Sequence, residues 1–158
     1  MIFLLDKDLW KDTKENVVKT DLDEVILRLE SGSRRLKHTI TVYDRYHVEI
    51  GRIRSRSIWR GRSYEIYYDE QKIATLSKKR GFLRKKIALK LDDGKILTVK
   101  GDLKKRNFEV HLKRKLIAKA SPEYAYKNTQ FGIETKDAKN RYLFICVAIV
   151  VASGEIAR

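Results

Sequence analysis

The feature that most constrains the fold of this chain is a strand–turn–strand unit that recurs before a short apolar segment. Five units start 24, 23, 21 and 23 residues apart, near Ile40, Tyr64, Ile87, Phe108 and Phe131. Apolar and polar residues alternate within the strands, as in Tyr64–Tyr68, which places every second side chain on one face. Regular hairpins followed by one apolar segment predict a closed β-barrel with a central plug.

The turns of these units carry residues that tolerate turn dihedral angles. They are Asp44-Arg45, Asp69-Glu70-Gln71 and Asp92-Asp93-Gly94, whereas the fourth turn, Lys113-Arg114-Lys115, lacks this chemistry. Asp92-Asp93-Gly94 is the clearest hairpin signal, and the sequence indicates the fourth turn less strongly.

The N-terminal region fits a degenerate sixth unit. Asn16–Lys19 predicts one strand, Asp21-Leu22-Asp23 a turn and Val25–Leu29 the partner strand, although the spacing in Val25–Leu29 also fits a helix. Met1–Leu5 can add an edge strand. Six hairpins give about twelve strands, which enclose more space than the wall side chains alone usually fill.

The apolar segment Tyr142–Ala152 is the candidate for filling that space. It is about half as long as a membrane-spanning helix, and a short helix that is apolar all round belongs in a protein core. The alternative is a membrane-inserted tail. The sequence thus predicts a mainly β fold, an antiparallel closed barrel of about twelve strands around a central hydrophobic C-terminal helix. We expect one domain over residues 1–158, with the barrel at about 1–138 and the helix at about 140–153.

The net charge of +15 favours an anionic partner. Cys146, the only cysteine, lies in the apolar segment, which predicts a buried, inert thiol and a reducing compartment. Met1–Leu5 is too short for a secretory hydrophobic region. We expect a cytoplasmic protein, either free or peripheral at the inner face of the membrane.

The cations are concentrated between the hairpins. If the connectors are residues 31–37, 52–62, 78–86 and 100–106, they hold half of all Lys and Arg with Asp102 as the one acid, while the acids cluster in the hairpin turns. This arrangement predicts a barrel with one strongly basic rim. The candidate anion-binding residues are Arg60, Arg62, Lys78, Lys79, Arg80, Phe82, Arg84, Lys85, Lys86, Lys104, Lys105 and Arg106.

Two connectors also hold an apolar pair, Ile58-Trp59 and Phe82-Leu83. Aromatic rings among cations suit an anionic bilayer surface, where each basic residue contributes on the order of 1 kcal/mol. Trp59 and Phe82 can instead fold inward and close the barrel end. Peripheral, reversible binding of anionic membrane lipid is therefore the favoured function. Non-specific nucleic-acid binding and a protein-interaction scaffold remain alternatives.

No catalytic motif stands out in the sequence. There is no glycine-rich phosphate loop, and His38, His47 and His111 fall on different predicted strands, a pattern more typical of surface or core residues than of a metal site. The acidic pairs are explained by turn chemistry. The prediction is a non-enzymatic protein without a cofactor or metal.

Several short motifs carry a family resemblance over about residues 16–155. They are Val99–Leu103 with Asn107–Val110, Leu116–Ser121, Phe131-Gly132-Ile133 and Tyr142–Ala152. In this order they resemble the LURP-one-related family of the tubby-C-terminal-like superfamily, which includes the phospholipid scramblases. Pro122-Glu123-Tyr124 departs from the family's usual Lys-Trp, and the cysteine cluster and acidic calcium segment of scramblases are missing.

The resemblance implies a twelve-stranded barrel around a central hydrophobic helix. It also implies a non-enzymatic role near membranes, because tubby domains bind phosphoinositides and scramblase-like members act on lipids. It gives no residue-by-residue ligand set for this chain.

Overall fold

A computed structural model describes residues 1–10, 15–34, 37–58, 61–80, 85–154 and 156. At residues 33, 34, 37, 57, 58, 79, 80, 85 and 86 it describes the backbone alone. Trp59 and Phe82, whose orientation the sequence left open, lie outside the described residues.

The described residues form twelve strands, one short 3₁₀ helix and one α-helix. The strands are β1 (Ile2–Asp6), β2 (Asn16–Thr20), β3 (Val25–Arg34), β4 (Lys37–Asp44), β5 (Glu49–Ile58), β6 (Gly61–Tyr68), β7 (Gln71–Arg80), β8 (Lys85–Leu91), β9 (Ile96–Asp102), β10 (Asn107–Leu112), β11 (Lys115–Ser121) and β12 (Gln130–Thr135). The 3₁₀ helix is Pro122–Tyr124 and the α-helix α1 is Arg141–Ala152.

Each strand pairs antiparallel with its neighbours in sequence, and β12 closes the barrel against β1. The predicted fold class is confirmed. The fifth unit differs from the prediction, since it contributes a single strand, β12, whose partner is the N-terminal β1. The physical reason is that Tyr142–Ala152 has no alternation and so cannot form a wall strand with one polar face. Val25–Leu29 is a strand, held between β2 and β4.

The barrel has two ends, which we name by the path of α1. At the helix-entry end lie the hairpin turns β2–β3, β4–β5, β6–β7, β8–β9 and β10–β11, together with the connection from β12 to α1. At the helix-exit end lie the remaining strand connections and the end of α1. The turns at Asp44, Asp69 and Asp92 form as predicted, and the Asp44 carboxylate accepts hydrogen bonds from the backbone N–H groups of Tyr46 and Val48.

The connectors at the helix-exit end were predicted to be too long. Strand pairing continues to Arg34 with Lys37, Ile58 with Gly61, Arg80 with Lys85 and Asp102 with Asn107. Among the described residues, strand pairing therefore extends further toward the helix-exit end than the sequence suggested. Many of the cations assigned to connectors lie along strands instead.

The helix α1 fills the barrel. All ten residues from Leu143 to Ala152 are buried, and they pack with inward-facing wall residues such as Ile66, Leu76 and Phe131. Helix residues come closest to β1, β6, β7 and β12. Among the described residues, the structure contains no helix with the length and apolar character that a membrane span requires.

Two sets of polar contacts fix the helix at its ends. At the entry, the Tyr142 hydroxyl donates a 2.8 Å hydrogen bond to the Tyr67 carbonyl of β6, beside the backbone of Gly51. At the exit, the N–H of Leu9 donates to the Ala152 carbonyl at 3.1 Å, and the Lys78 ammonium donates to the Ile156 carbonyl. These bonds satisfy polar groups at the positions where the apolar packing of the lumen ends.

Candidate anion-binding site

The best-defined part of the predicted basic rim is the β9–β10 turn. Lys104 and Lys105 are both exposed on it. The turn is held by its own backbone, since the Asp102 carboxylate accepts from the N–H of Lys105 at 3.2 Å and the Leu103 carbonyl accepts from the N–H of Arg106 at 3.1 Å. Two neighbouring ammonium groups thus project from a fixed turn at the helix-exit end.

Arg106 does not belong to this exposed surface, contrary to the sequence prediction. Its side chain is buried, and its guanidinium donates to the carbonyls of Lys7 at 2.7 Å and Leu103 at 2.8 Å, with Asp8 at 3.5 Å. Burial lowers the pKa of Arg106, and the charge of Asp8 opposes that shift. The residue joins the β1–β2 connection to the β9–β10 turn because its five donors can satisfy several carbonyl groups at once.

Lys78 is also placed differently from its predicted position. It shares the inward-facing side of β7 with Ala74 and Leu76, and its ammonium reaches the Ile156 carbonyl beyond α1. It therefore lies at the barrel mouth rather than on the outer surface. Arg62 of β6 is exposed at the same end. The side chains of the other predicted residues lie outside the described part of the chain: Arg60, Lys79, Arg80, Phe82, Arg84, Lys85 and Lys86.

The arginines of the predicted second connector lie on the wall of the barrel, along β5. Arg52 pairs with Glu49 at 3.0 Å, and Arg56 pairs with Glu65 at 2.5 Å. The guanidinium carbon of Arg54 lies 5.4 Å from the centre of the Tyr67 ring. These cations make local wall contacts, so they add less to a rim than the sequence suggested.

The helix-entry end is not uniformly acidic. The predicted acids lie in the β2–β3, β4–β5, β6–β7 and β8–β9 turns. At the same end, Lys113, Arg114 and Lys115 are exposed at the β10–β11 turn, and Lys136 and Lys139 are exposed in the β12–α1 connection. Lys115 and Lys136 line one cleft. The predicted separation of charge between the two ends is therefore incomplete. The basic run just before α1 was the sequence signal for this second cluster.

Within the described ranges, no group of three or more His, Cys, Asp or Glu side chains is placed to hold a metal ion. His47 stacks on Tyr43, and His111 lies 3.7 Å from Glu109. Cys146 is fully buried, and this burial raises the pKa of its thiol to about 12, although a hydrogen bond with Tyr142 lowers it. A buried neutral thiol is a poor nucleophile.

A closed barrel around a buried helix, with charged turns at both ends, is the architecture of a tubby-like binding module. A family model described as LURP-one-related matches residues 1–152. The chain therefore belongs to the LURP-one-related family, whose barrels are generally non-catalytic.

Comparison with solved structures supports the same architecture. An X-ray structure of a protein from Arabidopsis thaliana is similar with a TM-score of 0.67, over 99% of this chain and 91% of that chain. Its sequence is 14% identical, so the likeness shows the fold alone. No curated protein matches this chain by sequence.

Proposed function

We propose that this protein binds the anionic headgroups of membrane lipids, including phosphoinositides, at the helix-exit end of the barrel. The observation that carries the proposal is the β9–β10 turn, where Lys104 and Lys105 are exposed on a backbone fixed by Asp102 and Arg106. A fixed turn loses little conformational entropy on binding, so more of the electrostatic attraction contributes to affinity.

The order of strands supports a larger site around this turn. The hairpins β5–β6, β7–β8 and β9–β10 are adjacent in the barrel and turn at the same end. Arg62 is exposed on β6, and the basic strand ends Lys79-Arg80 and Lys85-Lys86 belong to the paired strands β7 and β8. Six engaged cations would give roughly 6 kcal/mol and a dissociation constant in the tens of micromolar. Such binding is reversible and sensitive to salt.

The test is co-sedimentation with vesicles of neutral lipid, with and without phosphatidylserine or phosphatidylinositol bisphosphate, at low ionic strength. Replacing Lys104 and Lys105 by Glu removes two attractions and adds two repulsions. We expect the affinity for anionic vesicles to fall by about thirtyfold or more, since each cation contributes on the order of 1 kcal/mol.

The matched control is the double variant Lys115→Glu with Lys136→Glu, which changes the net charge equally at the opposite end. It should retain most of the vesicle binding. Equal loss in both variants, or no preference of the parent protein for anionic vesicles, would refute a local lipid site. Gel shifts that respond to Lys104→Glu with Lys105→Glu while vesicles do not would favour nucleic acid as the partner.

A further inference from the structure

A cleft of about 520 Å³ opens on the outer wall at the helix-entry end, where β11 and β12 separate. The two strands pair only from Ala118 with Thr135 to Ser121 with Gly132. Beyond that point, within the described chain, the stretch Lys115–Ile117 has β10 on one side and no strand on the other. A bulge beside Ile117 accompanies the separation, and the Ile117 carbonyl accepts from the Thr135 hydroxyl at 3.0 Å.

The 3₁₀ helix Pro122–Tyr124 forms the far wall of this cleft. Ser121 caps it, accepting from the N–H of Glu123 at 3.1 Å, and Tyr124 packs against β12. Gly132 permits this contact, because a Cβ there would lie 2.7 Å from the Cβ of Tyr124. The segment that departs from the family pattern is thus a fixed part of the cleft.

Three lysines and two acids line the cleft, and two further acids, Glu109 and Glu123, lie near Tyr124. Lys115, Lys119 and Lys136 line it, are exposed, and form no ion pair within the described part of the chain. Its two acids are already engaged. The Glu134 carboxylate interacts with the Tyr124 hydroxyl, whose pKa is raised by burial and by Glu134. Asp137 accepts from the Asn140 side chain at 2.8 Å and from backbone N–H groups of Lys139 and Asn140.

The floor of the cleft has an apolar part. Leu116 is 48% exposed although it is a large aliphatic residue, and Ile117 lies beside it. An apolar floor with a few surrounding polar groups, in a volume between about 300 and 1,000 Å³, is typical of a ligand site. The ligand should therefore combine negative charge with an apolar side chain.

We propose that this cleft binds a short acidic peptide segment in an extended conformation. Carboxylates of the peptide meet Lys115, Lys119 and Lys136, and an aliphatic side chain between them lies on Leu116. Along Lys115–Ile117, backbone groups other than the Ile117 carbonyl, which the Thr135 hydroxyl already engages, are available to the main chain of the ligand, which favours a peptide over a lipid headgroup. With about 3.3 Å per extended residue, this edge admits about three residues. The site is at the opposite end from the β9–β10 turn and does not depend on lipid binding.

Fluorescence anisotropy tests the proposal with a labelled peptide of alternating Asp or Glu and Leu, compared with its Asn/Gln counterpart, at low ionic strength. We expect saturable binding of the acidic peptide and at least tenfold weaker binding of the amide peptide. The double variant Lys115→Glu with Lys136→Glu should weaken the acidic complex about tenfold. The double variant Lys104→Glu with Lys105→Glu changes the net charge by the same amount, and it should change the affinity for the acidic peptide less than twofold.

Thermal unfolding of both variants checks that they fold, which is expected because the replaced side chains are exposed. Equal weakening by the two double variants would overturn the proposal, as would no saturable binding of the acidic peptide. Displacement of the peptide by inorganic phosphate or by anionic vesicles would also overturn it, because the cleft would then hold a phosphate group. In the vesicle assay the Lys104/Lys105 variant is the test and the Lys115/Lys136 variant is the control, whereas in the peptide assay these roles are reversed. Failure of one proposal is therefore distinguishable from failure of the other.

Discussion

Replacing Gly51 by alanine is expected to lower the free energy of unfolding by on the order of 3 kcal/mol. A Cβ at this position would lie 2.0 Å from the Tyr142 hydroxyl oxygen and 2.3 Å from the Tyr67 carbonyl oxygen. The first is the donor and the second the acceptor of the bond that fixes α1 at the helix-entry end. One methyl group therefore displaces both partners of that bond. Urea denaturation followed by circular dichroism measures the effect.

Gly32→Ala is the matched control. Gly32 also lies in a long strand, but the nearest neighbour of a Cβ added there would be the Thr39 carbonyl oxygen at 3.8 Å. This distance is an ordinary van der Waals contact. Replacing Gly32 should change the free energy of unfolding by less than about 1 kcal/mol. Adding Tyr142→Phe to Gly51→Ala should restore part of the lost stability, because it removes the hydroxyl that obstructs the methyl group. The rescue should be incomplete, because the Tyr67 carbonyl still obstructs it. Equal stability of the two alanine variants would contradict the placement of Tyr142.

Phe144→Ala in the helix is expected to cost about 3–5 kcal/mol. Phe144 is fully buried in the barrel, and its neighbours on α1 are buried too, so the wall and helix have little freedom to fill the cavity. Because a domain of this size is stable by only about 5–15 kcal/mol, a large share of the total would be lost. The measurement is again the urea midpoint and slope.

Tyr126→Ala is the control for loss of an aromatic ring. Tyr126 is 95% exposed, so its replacement should change the free energy of unfolding by less than about 0.5 kcal/mol. A loss for Phe144→Ala as small as that for Tyr126→Ala would mean that the helix does not pack in the lumen.

Much of the fold followed from local patterns. Alternation in segments such as Tyr64–Tyr68 and Phe108–Leu112 predicted wall strands, and the absence of alternation after Arg141 predicted the central helix. The strand partner of Phe131–Thr135 did not follow, because β1 lies more than 120 residues away and closure depends on the whole barrel. The strands are longer than predicted where charged residues continue the pairing of a hairpin, as in Arg52–Arg56 of β5.

The site was harder to predict because charge indicates solvent exposure only on average. Lys104 and Lys105 are exposed as expected, but the adjacent Arg106 turns inward to satisfy carbonyl groups of two segments. The Lys78 side chain lies on the inward-facing side of β7, and its ammonium donates to the Ile156 carbonyl beyond α1. Both outcomes depend on contacts with residues distant in sequence. The cleft beside Tyr124 likewise arises from the separation of β11 and β12, which no local pattern shows.

The reactivity of Cys146 reports whether the barrel encloses α1, because this thiol lies on the helix and is fully buried. Burial raises the pKa of the Cys146 thiol to about 12, which disfavours the reactive thiolate at pH 8, and the side chain is also inaccessible. Pulse alkylation with iodoacetamide across a urea series should leave the native protein unlabelled. The midpoint of labelling should coincide with the unfolding midpoint measured by circular dichroism. Labelling in the absence of urea at the rate of a free thiol peptide would contradict an enclosed helix.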